Sequence, residues 1–435
     1  MIDKSLATRS SRLKAQGSGQ SPRAHSPQPR ASRVVLAGIV GLALTGCASV
    51  PRTAPTRPCC IESKPSISRQ PIAWHLFDVT ILEPLEQPLH LLRFGRKLFG
   101  VPVRSLDLRK GEVADSAFVT QRDPASLTPE AVRWGPSKPD DRPQAPFVIT
   151  KPKLEGKTAG FFVTDARGVR YLFKLDPVEY PELLSGAEVV TSKLLYALGY
   201  HVPSYEIALA PPDDFRMGPP AVHQLLDARA RNGMVRVVAS KILDGELLGP
   251  IPFKQFRDCA ELRALKVAYA WVNDIDAKDH NSLLVWEGTK AVGYLIDFGT
   301  SLGADAGLGG PKQPCAGWTY IADLKEASLE LLTLGLHRPV CDPERNATSP
   351  GVGFFSTHVD PDRWKPYAPN LAFAAMTEED AQWLVRRMAR LSRSQIEAAV
   401  SAGQYSRPED ATYLVEMLDK RRETIVQHYL EEAER

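Results

Sequence analysis

Apolar residues first alternate along this chain and then fall into helical spacing. Phe147-Val148-Ile149-Thr150, Gly160-Phe161-Phe162-Val163-Thr164 and Val169-Arg170-Tyr171-Leu172-Phe173-Lys174-Leu175 read as three strands. The last two, joined by Asp165-Ala166-Arg167-Gly168, predict a hairpin with a Gly-containing turn. Ala187, Val190, Thr191, Leu194, Leu195 and Leu198 form one helical stripe; Ser185 with Glu188 has capping-box spacing and Gly199 suits the C-terminal cap. Strands are predicted at Pro203–Ala208 and Val235–Ile242, with a loop insertion at 211–233. Phe256–Val272 predicts a helix, and Ser282–Trp286 with Ala291–Ile296 a hairpin about Glu287-Gly288. Ala304–Pro314 reads as flexible and 342–370 as a loop anchored by Trp364 and Tyr367. Three helices follow: one capped at Thr377, one over Ser394–Ala402, and one starting at Pro408. The pattern predicts an α+β protein with a small β-rich N-lobe holding one main helix, 147–245, and a larger, mostly helical C-lobe, 246–435.

The N-terminal third is organised differently. Residues 1–33 are basic and rich in Ser, Pro and Gln, Val34–Leu44 is a short apolar run, and Leu44-Thr45-Gly46-Cys47 follows. This is the order of a secretory signal, and the run is too short for a stable bilayer-spanning helix. Residues 48–70, rich in Pro, Ser, Thr and Arg, read as a disordered tether. Residues 71–146 read as an extension, with Trp74, Leu76, Phe77, Leu91, Leu92, Phe94, Leu98 and Phe99 packing on the core and 111–146 loop-rich. Arg93, Arg96 and Lys97 among those apolar residues leave open an amphipathic membrane-surface segment.

Composition changes the picture in two places. The net charge of +3 over 435 residues comes from the leader; without residues 1–46 there remain 47 basic and 50 acidic residues. That removes any bulk electrostatic case for a nucleic-acid partner. Export permits disulfides, and Cys315 with Cys341 is the expected pair, whereas Cys259 in a helical pattern reads as a buried free thiol. With no C-x-x-C pair, a zinc site is not expected.

The candidate chemistry sits in Asn273-Asp274-Ile275-Asp276-Ala277-Lys278-Asp279-His280-Asn281 and, after the predicted hairpin, Asp297-Phe298-Gly299. Phosphoryl transfer needs positioned charges more than covalent chemistry. Asp276 would orient the attacking hydroxyl and Lys278 would reach the transferring phosphate. Asn281 and Asp297 offer the hard oxygen ligands that Mg²⁺ prefers. Upstream, Lys174 would meet the α/β-phosphates of ATP, held by Glu188 or, failing that, Glu182. Asp274 reads as a helix-end residue or a carboxylate behind the loop, and His280 as a loop hydrogen-bonder.

Asp276-x-Lys278-x-x-Asn281 with Asp297-Phe298-Gly299 resembles the catalytic loop and metal turn of the protein-kinase-like superfamily. Ile296-Asp297-Phe298-Gly299-Thr300-Ser301-Leu302-Gly303 is similar to the metal turn of phosphatidylinositol 3/4-kinases, which carry His where this chain has Lys278. The Asn273-Asp274 context and helical C-terminus resemble HipA-like kinases. Leu44-Thr45-Gly46-Cys47 resembles the lipobox of bacterial lipoproteins. That resemblance implies cleavage before Cys47, a lipid on it, and residence in the cell envelope, on the outer membrane facing the periplasm; an ordinary signal peptide or retained anchor is the alternative. Together the resemblances imply a two-lobed kinase-like fold and a membrane-anchored phosphotransferase using ATP and Mg²⁺ on a hydroxyl acceptor. A catalytically silent envelope binding module and nucleotidyl transfer are the alternatives. Two departures stand out: no G-x-G-x-x-G in the first hairpin, where only Gly156, Gly160 and Gly168 occur, and no A-P-E signature.

Overall fold

Six strands build the first sheet: β1 Phe147–Pro152, β2 Gly160–Thr164, β3 Arg170–Lys174, β4 Tyr205–Ala210, β5 Phe215–Arg216 and β6 Val235–Lys241. Their spatial order is β4-β6-β3-β2-β1-β5, antiparallel throughout except for the parallel β1/β5 pair. The computed structural model describes residues 59–67, 70–86, 95–96, 99, 101–342 and 349–431. The expected signal peptide, Cys47, most of the tether, and Leu91, Leu92, Arg93, Phe94, Lys97 and Leu98 lie outside the described residues.

Period-two alternation sends Phe147, Phe161, Phe173 and Phe215 into one small core. The predicted loop insertion supplies part of its cover: β5, and a helix at Pro220–Asp227 that buries Val222 and Leu226. Helix α1, Leu183–Ala197, is buried around almost its whole circumference, between this sheet and the helical half.

The expected capping box does not form at α1. The N-cap is Glu182, at φ +71°, and its carboxylate accepts from the Ser406 amide instead of meeting Lys174. The cap comes from Asp176, whose carboxylate accepts from the amides of Leu184 at 2.9 Å and Ser185 at 2.8 Å and from the Ser185 hydroxyl at 2.6 Å. A carboxylate at a helix N-terminus satisfies its orphan N–H groups and suits its dipole, so Glu188 is released from capping.

The second half is mostly helical. Helix α2, Ala260–Val272, packs against α3, Glu378–Ala389, and α5, Pro408–Val426; α4, Arg393–Ser401, reaches back to α1. Thr377 with Asp380 and Ser392 with Gln395 form real capping boxes. The end of α2 is fixed by Arg421, which donates to the carbonyls of Ala270 and Trp271, and by Asn273 in the left-handed region at φ +51°. A three-stranded sheet pairs β7 Glu246–Gly249, which precedes α2, with the hairpin β8 Ser282–Trp286 and β9 Ala291–Leu295, which follows it. The α+β class expected from the sequence is the class observed.

Four further expectations fail. The tether is fixed over part of its length, where Ile61 is buried and bridges Ala291. Trp74, Leu76 and Phe77 do not pack on the core and stand exposed. Cys259 is not a free thiol: it is bonded to Cys59, 200 residues away, whereas Cys315 pairs with Cys341. The segment Ala304–Pro314 is pinned, with β10 Ala304–Asp305 against β11 Gly310–Pro311. Asp305 accepts from the Gly307 and Leu308 amides and the Tyr367 hydroxyl. Gly303 is required at its bend, where φ is +86° and a Cβ would meet the Gly353 and Phe354 backbone at 2.7 Å.

Candidate active site

Antiparallel pairing assembles the Asp297 turn. Ser282 and Leu295 are register partners across β8/β9, and the Ile296 amide donates to the Asn281 carbonyl at 3.0 Å. Asn281 therefore lies beside the residue that leads into Asp297, although sixteen positions separate the two in sequence. The Asn281 side-chain nitrogen donates to the Asp276 main-chain carbonyl at 2.8 Å, so the side-chain oxygen is the atom that could serve as a ligand. Asp297 adopts φ +65°, a conformation that costs a non-glycine residue energy and is concentrated at functional sites.

What holds that turn is visible around it. Phe298 is fully buried, its ring 5.9 Å from that of Tyr205. The Ser301 hydroxyl donates to the Phe298 carbonyl at 2.7 Å and lies 2.7 Å from the Thr191 hydroxyl of α1. The Asp297 amide donates to the Tyr205 hydroxyl at 3.4 Å.

Lys174, at the end of β3, is the hub. Its Nζ lies 2.6 Å from Glu188 Oε1 and 2.8 Å from Asp297 Oδ1. Burial opposes the charge on Lys174, and the carboxylates of Asp297 and then Glu188 more than offset it, so its pKa is raised. Burial pushes Glu188 up to about 7, against the pull of Lys174, and its Oε2 is buried with no hydrogen-bond partner among the described residues. Asp297 keeps a third of its side chain exposed. Burial would raise its pKa, but Lys174, then Lys153 and Lys278, hold it below the usual carboxylate range.

The loop residues lie at the same mouth. Lys278 Nζ donates to Asp276 Oδ2, with both side chains about one-fifth exposed. Asp274 is buried behind the loop, accepting from the Thr300 hydroxyl at 2.6 Å and facing the Asp276 amide at 3.4 Å; burial pushes it up to about 6. Lys312 ties Asn273 to Thr300 through their carbonyls, and burial lowers its pKa to about 7. His280 is a hydrogen-bonder, with Nε2 2.8 Å from the Gln70 carbonyl.

Lys153 was missed by sequence reasoning. It leaves β1 and lies over Gly160, where a Cβ would approach its Cδ to 3.3 Å and the Lys174 Cα to 3.4 Å. Its ammonium donates to the Thr158 carbonyl at 2.9 Å; burial, and then Lys174, lower its pKa. The signal was the cluster Lys151-Pro152-Lys153 opening the turn where a glycine motif was sought. Lys153, Lys174 and Lys278 thus surround one part-exposed carboxylate, an arrangement that suits a polyanion bound with a divalent cation.

No protein-family model matches this chain, and no curated protein is similar to it at a significant level. The crystal structure of the Helicobacter pylori proinflammatory kinase CtkA superposes with a TM-score of 0.37 and 11% identity, covering 66% of this chain and 99% of that one. A likeness of that degree carries no argument about chemistry, which rests on the side chains described above.

Proposed function

We propose that this chain is a kinase-like phosphotransferase that uses ATP and Mg²⁺ to phosphorylate a hydroxyl-bearing acceptor in the bacterial cell envelope, anchored through a lipid on Cys47. The observation that carries the reading is the joint contact of Lys174 with Glu188 and Asp297 beside the Asp276 loop. Lys174 and Lys153 would bind the phosphates of ATP, with Glu188 fixing the Lys174 ammonium. Asp297 and Asn281 would hold Mg²⁺, which when bound neutralises charge on the phosphoryl oxygens. Asp276 would orient the acceptor hydroxyl and accept its proton, and Lys278 would move from Asp276 to the transferring phosphoryl group. The lipobox-like Leu44-Thr45-Gly46-Cys47 supports the anchor and the periplasm-facing location. The metal turn favours the phosphatidylinositol-kinase resemblance and the helical C-terminus the HipA-like one.

The test is label transfer from γ-labelled ATP with envelope extract as acceptor source. The reading requires Mg²⁺-dependent transfer that Asp276→Ala abolishes. Binding of ATP without transfer would establish a silent binding module instead, and transfer from α-labelled ATP alone would establish nucleotidylation.

A further inference from the structure

We propose that the folded part of this chain docks on a lipid bilayer through two apolar projections that flank the Asp276 loop; the inference rests on the lipid-anchored reading above. The first projection is the helical segment Ile72–Phe77. Ile72, Trp74 and Phe77 are 48%, 53% and 43% exposed, and the Trp74 and Phe77 rings stack with centroids 5.4 Å apart. The second is the arm closed by Cys315–Cys341, whose helix Leu324–Leu332 has no buried residue. Leu331, Leu334 and Leu336 in it are 77%, 92% and 88% exposed. A surface helix ordinarily turns its apolar stripe to the core. Clustered apolar side chains left in water mark a surface that something else covers.

Both projections are joined to the same loop. On one side His280 Nε2 meets the Gln70 carbonyl at 2.8 Å, and the His75 and His280 rings lie 5.3 Å apart. On the other, the Ile321 amide donates to the Tyr367 carbonyl at 2.8 Å, and the Tyr367 amide donates to the Ile275 carbonyl at 2.6 Å.

The covering phase follows from the anchor. Cys59 is fixed by its disulfide to Cys259, at the N-terminus of α2. It lies only twelve positions after Cys47, the expected lipid attachment. Twelve extended residues span at most about 40 Å, so the disulfide shortens the tether and holds the fold close to the bilayer. A tryptophan among the exposed residues suits the headgroup boundary. Part of the acidic charge at the rims is compensated, Glu83 and Glu86 by Lys254 and Glu326 by Lys365 and His337, so a zwitterionic bilayer is the surface to test. Among the described residues no helix is long and apolar enough to cross a membrane, which fits docking at the surface.

The test uses the full-length lipidated protein in phosphatidylcholine vesicles with and without brominated acyl chains. Brominated lipid should quench tryptophan emission, and Trp74→Phe should remove most of that quenching. Leu331→Glu combined with Leu334→Glu should weaken the quenching that remains at Trp74. Quenching unchanged by Trp74→Phe would overturn the proposal. So would a dimer in detergent that the two glutamates dissociate, since a second copy would then be the occupant. An intact mass without lipid would overturn the anchor on which the proposal rests. No nucleotide enters these readouts, so ATP-induced stabilisation of the same sample passes or fails separately.

Discussion

Lys174 and Asp297 are 123 residues apart in sequence and meet at 2.8 Å. The contact joins the last residue of β3 to the turn after β9, with Glu188 of α1 closing the group at 2.6 Å from the same ammonium. Removing the cation leaves two carboxylates facing each other in a largely buried site. Lys174→Met should therefore cost about 3–5 kcal/mol, the usual penalty for stranding buried charge, read as a lower urea midpoint. Asp297→Asn should behave differently, because the Asp297 side chain is one-third exposed. It should change stability by about 1 kcal/mol or less, yet abolish Mg²⁺-dependent thermal stabilisation by ATP. Equal losses of stability in both variants would contradict this division between hub and metal ligand.

The Glu188 carboxyl sets a pH dependence whose sign is fixed. Burial raises its folded-state pKa to about 7, above the value for an unfolded glutamate. The folded protein then holds a proton that the unfolded chain has released, so this contribution is present at low pH and lost as pH rises through about 5 to 8. Other groups oppose it. His75 and His201, both lowered to about 4, favour folding as pH rises below neutrality, and Lys312, lowered to about 7, does so above it. The informative quantity is the difference between the parent and Glu188→Gln, which keeps the neutral shape. Parent stability relative to the variant should fall across that window in ligand-free protein, as measured by urea denaturation at several pH values. A difference that rises with pH would refute the assignment.

Substitution of Lys153 should separate the proposed phosphate binding from fold maintenance. Its ammonium has a neutral carbonyl partner at 2.9 Å and shares the mouth of the site with Lys174 and Asp297. A hydrogen bond to a charged group is worth about 1.5–3 kcal/mol. Lys153→Ala should accordingly weaken ATP binding by roughly 10- to 100-fold while leaving adenosine affinity unchanged. Calorimetric titration with both ligands checks this. An equal loss for adenosine would mean that the variant had disturbed the pocket walls instead of a phosphate contact.

What the sequence revealed and what it hid have different physical origins. Alternation in β1–β3 and the stripe Ala187-Val190-Leu194 are local periodicities, so those elements were readable to within a few residues. Asp276, Asn281 and Asp297 could be read together because the spacing of their two motifs brackets a predicted hairpin, and that hairpin forms in the expected place. The cap of α1 was hidden because Asp176 reaches it from outside the helix, while Ser185 and Glu188 merely share capping-box spacing. Asp305 and Lys312 fix the glycine-rich segment through side-chain bonds to Tyr367, Asn273 and Thr300, and composition carries no trace of such partners. Lys153 was overlooked because a glycine pattern was the expected phosphate signal, whereas the structure places a lysine over Gly160.

The Cys59–Cys259 bond was beyond sequence reasoning for the same reason, since pairing depends on which segments the fold brings together. It spans 200 residues, whereas Cys315–Cys341 spans 26. Cross-links over longer loops remove more conformational freedom from the unfolded chain, and the usual range is about 2–5 kcal/mol. Cys59→Ser paired with Cys259→Ser should therefore lower the unfolding free energy by an amount near the upper end of that range. The Cys315→Ser, Cys341→Ser pair should cost less and should chiefly loosen the arm between those residues. Denaturant unfolding gives the first quantity, and amide exchange across 315–341 gives the second. Neither pair touches Lys174, Asp276, Asn281 or Asp297, so nucleotide-induced stabilisation should survive in both variants below their unfolding transitions. Loss of that stabilisation on breaking Cys59–Cys259 alone would show that the bond at the start of α2 also sets the position of the Asp276 loop at its end.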